Sequence, residues 1–147
     1  NHTLRKLKKY TVLGKTPVIL VEKINWIKRN DWHENKNNAN KIIETWKNSW
    51  ESLDPHDFIS QHSINFKGKQ HDFESRVAHI LRIIKNKTFI KLKVDNLNLF
   101  YYPENKNLIY SYFTQRYESN NFNTTSNKEL FWKKEKDGVW RILYEDT

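Results

Sequence analysis

Three charged side chains on alternating runs could do binding chemistry together: Lys128, Arg141 and Glu145. They lie in KELFWKKE (128–135) and VWRILYE (139–145). Both runs alternate, and successive side chains of a strand point to opposite faces. Lys128, Leu130, Trp132 and Lys134 share one parity; Arg141, Leu143 and Glu145 share another. If those faces are concave, a cation and a carboxylate look into one cavity from its opposite ends. Trp132 would stand beside them, with Tyr117 and Gln115 from the preceding run, LIYSYFTQRYES (108–119). An amino-acid zwitterion or a sugar–peptide fragment needs such a set: an ammonium partner, a carboxylate partner and an aromatic plate. The plainer reading is edge charges in ordinary surface pairs, each worth roughly 0–1 kcal/mol.

Other chemistries fare less well. Of the six histidines, His56 and His62 lie six apart, and His71 and His79 eight apart. Neither is the i, i+4 pair of a helical zinc site, and HExxH is missing, so the sequence implies no metal and no cofactor. Asp54, Asp57 or Glu145 with a histidine would make an acid–base pair, but no spacing fixes that geometry. The chain has no cysteine, which excludes a disulfide, a thiolate nucleophile and a Cys-type zinc site. No catalytic residue is assigned. The Asn-x-Thr sequons at Asn1, Asn86 and Asn123 matter only in a cell that glycosylates them.

The 147 residues fit one main domain with a real core. A net charge of +9 favours anionic partners: nucleic acid, an acidic polymer or a membrane surface. A Lys- and Asn-rich proteome would produce the same charge with no such partner. Six Trp, seven Tyr and eight Phe are raw material for nucleic-acid binding. They follow strand alternation or helix stripes, as core aromatics do, and no nucleic-acid motif accompanies them, so nucleic acid is disfavoured. No apolar run approaches the ~18 residues of a membrane span. The chain opens on Asn-His-Thr with neither initiator Met nor signal peptide, and reads as a piece of a longer precursor.

The elements that would position these groups come in a definite order. PVILVEKI (17–24) reads as a buried strand, and the polar, Asn-rich 28–40 as a linker or the ragged start of a helix. Ile43, Trp46, Trp50 and Leu53 form one helical stripe, which Asp54-Pro55 ends. Asp54 then caps a short second helix opened by Pro55. Ile64–Phe66 is a short strand. Asp72 caps a third helix with the stripe Phe73, Val77, Ile80, Leu81, Ile84. Arg76, one turn into it, either reaches a pocket rim or is solvated. In 88–102 the apolar parity flips near Asp95-Asn96, which implies a bulge. Pro103–Asn107 turns the chain into the strand 108–119, Ser119 to Asn127 is a loop, and Asp137-Gly138 closes the last hairpin. Helices to one side of a curved antiparallel sheet make an α+β cone.

That order, with the residues on it, resembles the nuclear-transport-factor-2-like fold. Trp46-(x3)-Trp50-Glu51-Ser52-Leu53-Asp54-(x3)-Phe58-Ile59-(x3)-Ser63-(x2)-Phe66 is similar to the opening of the domain of this fold at the C-terminus of certain bacterial L,D-transpeptidase-like enzymes. Phe113-x-Gln115-x-Tyr117-x-Ser119, Lys128-x-Leu130-x-Trp132 and Trp140-Arg141-Ile142-(x2)-Glu145 are similar to its later signature. The match covers about residues 40–146, and Gly14–Val21 resembles the strand after the catalytic motif of such enzymes.

The resemblance implies a cone-shaped α+β fold with about three helices on the concave side of the sheet. It implies that residues 1–30 are the tail of a catalytic domain or a linker, and 31–147 the cone. Some parents are L,D-carboxypeptidases that trim peptidoglycan stem peptides and set cell shape, using a cysteine. This chain has none, so no catalytic residue carries over and the fragment is expected not to be an enzyme. The implied pocket residues are Lys128, Arg141, Glu145, Trp132, Tyr117 and Gln115, with Phe58 and Phe66 at the mouth and Arg76 near the rim. The implied partners are a muropeptide or another small anionic or zwitterionic ligand, and the catalytic domain of the same parent. The implied place is the periplasm or outside the cell. Homodimerisation through the sheet stays open. The rival from another class is a free-standing small-molecule binder or enzyme of the same fold.

Overall fold

The computed structural model describes residues 29–102 and 105–147. Helix α1 spans Arg29–Glu51, α2 Pro55–Ile59 and α3 Phe73–Lys85, with strand β1, His62–Gly68, between α2 and α3. Strands β2 (Ile90–Tyr102), β3 (Asn105–Ser119), β4 (Asn123–Lys134) and β5 (Trp140–Asp146) follow. The expected strand at 17–24 lies outside the described residues, as does most of the stretch 1–30.

The Asn-rich stretch from residue 29 is helix rather than linker. Asparagine costs only a few tenths of a kcal/mol in a helix, and the stripe Ala39, Ile43, Trp46, Trp50 anchors it. Leu53 takes a left-handed backbone (φ 61°) just past α1. The Asp54 carboxylate accepts the His56 N–H at 2.9 Å with Pro55 in the first turn, so α2 starts as expected. Asp72 and Ser75 form a capping box at the start of α3. One stripe residue differs: Leu81 is exposed, and Ile83 packs against the core instead.

The sheet runs β1-β5-β4-β3-β2. Strands β2 to β5 are antiparallel throughout, as expected. β1 adds a fifth strand, parallel to β5, whose pairing partner stands at the far end of the sequence. The bulge in β2 is present: the register breaks between Asp95 and Asn98, and Asn96 sits at φ 55°. It keeps Ile90, Leu92, Leu99 and Tyr101 all in the core despite their opposite parity.

β4 begins at Asn123, inside the expected loop 119–127. A second bulge was not legible in advance. Trp132 pairs with Ile142 but Phe131 pairs with Tyr144, so β5 carries an extra residue, Leu143. Ile142 and Glu145, three apart, therefore share the inner face, and the expected common face of Arg141 and Glu145 is lost.

The helices cover the concave inner face. Trp46 meets Phe113 edge-on at 5.5 Å, and Ile80 and Ile84 join Phe113, Tyr117, Leu130, Trp132 and Ile142 in one core. This is the α+β cone, a curved five-stranded sheet with the helices on one face.

Candidate functional site

Inner-face residues of β3, β4 and β5 meet the helices around a cavity of about 560 Å³. Its walls include Trp50, Arg76, Gln115, Tyr117, Lys128 and Glu145. The alternation of β3 brings Gln115 and Tyr117 inward, that of β4 brings Lys128, and the β5 bulge brings Glu145.

Glu145 is the electrostatic centre. One carboxylate oxygen meets the Arg76 guanidinium at 3.0 Å, and the other meets the Lys128 ammonium at 3.3 Å. All three side chains are about nine-tenths buried. Burial alone would push the Glu145 carboxyl up; Arg76, then Lys128, outweigh it and hold it at about 2. Lys128 and Glu145 are thus partners, not opposite ends of a cavity, and the Glu145 charge is already paired with two cations.

The buried layer below orients Arg76. Its Nε–H donates to His62 Nε2 at 3.4 Å, while His62 Nδ1 lies 3.0 Å from the Phe58 carbonyl. These partners assign the proton to Nδ1, so Nε2 accepts. Burial first, and then the Arg76 cation, hold His62 neutral, down at about 4. The Arg76 guanidinium carbon also lies 5.8 Å over the Phe58 ring, which stacks on Trp50 at 4.0 Å. His62 meets Phe58 and Phe66 edge-on at 5.2 and 5.1 Å.

The nine expected pocket residues therefore separate. Lys128, Glu145, Tyr117, Gln115 and Arg76 line the cavity. Phe58 is fully buried beneath Arg76. Phe66 faces a smaller cleft of about 230 Å³, shared with Arg76, His79 and Glu145. Trp132 lies inside the core, its indole N–H donating to Ser111 Oγ at 3.1 Å, and forms no aromatic plate. Arg141 is also displaced: the β5 bulge leaves it beside the hairpin, bonded to Glu135 and Asp137, each at 2.9 Å.

The acid–base pairs weighed above find no support at Asp54, His62 or Glu145. Asp54 is spent on its helix cap, His62 points at Arg76, and Glu145 at its two cations. Among the described residues no three His, Asp or Glu side chains gather as metal ligands would; His71 and His79 stack at 5.0 Å as a pair.

Sequence reasoning missed His79, Arg82, Lys87 and Phe122, which also line the cavity. A signal existed for part of this. Arg76, His79, Ile83 and Asn86 recur at helical spacing and mark the face of α3 that overlooks the cavity.

A larger depression, about 610 Å³, runs along Lys91, Lys93, Arg116, Glu118 and Thr125. Lys93 and Arg116 are mostly exposed there and already share Asp95, at 3.9 and 3.3 Å. Solvated, paired charges of this kind contribute little, so the cavity at Glu145 is the better site.

Residues 38–146 match the family model described as the Cds6 C-terminal NTF2-like domain. The structure of Bd1075 from Bdellovibrio bacteriovorus resembles the chain with a TM-score of 0.71 at 18% identity, over 82% of this chain and 44% of that one. The helical cell shape determining protein Pgp2 from Campylobacter jejuni gives 0.59 at 26% identity, over 71% and 38%. An NTF2-like protein of unknown function from Pseudomonas putida gives 0.63 at 12% identity, over 75% and 82%. The chain spans less than half the length of the first two. No curated protein matches it. No helix among the described residues is long and apolar enough to cross a membrane.

Proposed function

The chain belongs to the Cds6 C-terminal NTF2-like domain family, and we propose that it is the non-catalytic, ligand-holding domain of a longer, exported, peptidoglycan-processing protein of the L,D-transpeptidase or L,D-carboxypeptidase type. Its task is to hold muropeptides near a catalytic domain. The observation that carries this reading is the cavity around Arg76, Glu145 and Lys128, which is polar, partly aromatic and about 560 Å³ in volume. That size suits a short peptide or a sugar–peptide fragment. The likeness to Pgp2, a cell-shape determining protein, supports the same direction. The absence of cysteine from these residues supports a binding role, since the thiolate such enzymes need would come from elsewhere in the parent.

Calorimetric titration of the 147-residue chain with purified muropeptides tests the proposal. The expected dissociation constant is on the order of 0.1–1 mM, because a handful of polar contacts must offset lost translational freedom. Heat no greater than that of a neutral glucose oligomer at the same concentration would refute it.

A further inference from the structure

The rim of the cavity carries charge that the Glu145 triad does not use. Four cationic side chains, Arg76, Arg82, Lys87 and Lys128, line the cavity against one acidic side chain, Glu145. Arg76 and Lys128 are committed to that carboxylate. Lys87 is held by neutral groups: it donates to Ser119 Oγ at 2.9 Å and to Asn121 Oδ1, and its ammonium stands 5.6 Å over the Tyr117 ring. Among the described residues neither Lys87 nor Arg82 forms an ion pair. Lys87 is nonetheless positioned, because Ser119 ends β3, Asn121 lies in the turn after it, and Asn120 ties that turn to the segment between α3 and β2 through the Asn86 carbonyl and the Thr88 N–H.

Two further observations point to what this charge receives. Gln115 is 5% exposed and lines the cavity, yet its Oε1 accepts no hydrogen bond among the described residues. A buried acceptor of this kind is unfavourable unless a donor reaches it. Phe122, 59% exposed, stands at the mouth with its ring 6.1 Å from that of Tyr117. An exposed aromatic ring beside a fixed ammonium suits a ligand with an apolar part next to an anion.

We propose that the rim is a carboxylate subsite and that the cavity takes the acid end of an acylated amino acid or peptide. The carboxylate is met by Lys87 and Arg82, an amide N–H of the ligand donates to Gln115 Oε1, and its apolar part lies against Tyr117 and Phe122. Among the described residues Glu145 is the one acidic side chain lining the cavity, and two cations already pair with it, so the site offers a free ammonium no unpaired carboxylate. The ligand is therefore selected as an anion, not as a zwitterion. This rests on the reading of the cavity as a peptide-fragment site and adds the end by which the fragment is held.

The test uses the full chain and four probes: a muropeptide tripeptide, the same peptide with its carboxylates amidated, the same peptide with its amine acetylated, and N-acetylglutamate. Amidation is expected to weaken binding about tenfold or more, and acetylation by less than about twofold. Lys87→Gln and, separately, the exposed Arg82→Gln are expected to remove most of the amidation effect, with circular dichroism confirming that each variant is folded. An amidated peptide that binds as tightly as the acid, or an acetylated one that fails to bind, overturns the inference. N-acetylglutamate binding that depends on Lys87, with no muropeptide binding, upholds the carboxylate subsite and rejects the muropeptide reading. If no carboxylate probe binds, the inference is rejected.

Discussion

The Arg76 guanidinium on α3 and the Glu145 carboxylate on β5 meet at 3.0 Å, both about nine-tenths buried, and this contact ties the third helix to the last strand. Lys128 reaches the other oxygen of the same carboxylate. A shared buried anion is asymmetric under mutation: removing it leaves two buried cations facing each other. Glu145→Ala is therefore expected to destabilise the fold by about 3–5 kcal/mol, and Lys128→Ala by less, because Arg76 still neutralises the carboxylate. Urea unfolding of both variants measures this. Equal, sub-kilocalorie losses would mean that the triad is solvated.

Acid is expected to weaken the fold in two windows. His62 is held at about 4 against its usual 6.5, so between those values the unfolded chain binds a proton that the folded chain refuses. Its contribution is complete above 6.5 and is lost as pH falls through 4, at a cost on the order of 3 kcal/mol. Glu145, held at about 2 against 4.5, contributes fully above 4.5 and is lost as pH falls through 2. His79, lowered first by burial, adds to the upper window in the same direction. In urea midpoints followed across pH, His62→Gln should flatten most of the upper window and leave the lower one. A variant with an unchanged upper slope would show that His62 titrates normally.

Trp46→Ala is expected to cost about 3–5 kcal/mol, since the ring is fully buried against Phe113 and its removal leaves a cavity between α1 and the sheet. Thermal or chemical unfolding reads it out. A loss below about 1 kcal/mol would mean that α1 does not pack on the concave face.

Arg141→Ala is expected to leave muropeptide affinity within about twofold and to cost stability only about 0–1 kcal/mol, as a partly exposed hairpin pair should. Titration beside the unsubstituted chain makes the comparison. A tenfold loss would return Arg141 to the site.

The architecture was legible because local rules agreed with one another. The Trp46–Trp50 stripe, the Asp54-Pro55 and Asp72 caps, the Asp137-Gly138 turn and the parity flip at Asp95-Asn96 each left a mark in composition or period. The bulge in β5 left none. Leu143 looks like any strand residue, and only the pairing of Trp132 with Ile142 and of Phe131 with Tyr144 exposes it. That single extra residue moved Arg141 out of the site and set Glu145 beside Lys128. Trp132 was misplaced for another reason: alternation says that a side chain faces inward, but not whether inward means core or cavity. The parallel pairing of β1 with β5 and the rim residues Arg82, Lys87 and Phe122 depend on contacts between distant segments, which no local pattern records.

Muropeptide binding in the cavity at Glu145, as proposed, should be visible residue by residue. Amide-shift titration of the isotope-labelled chain with purified muropeptides tests it most directly. Saturable shifts are expected to cluster at Lys87, Gln115, Tyr117, Ser126, Lys128 and Glu145, all of which line that cavity. Shifts confined to the basic stretch Arg5–Lys9 or to Lys91, Lys93 and Arg116 would contradict it, showing association driven by net charge alone.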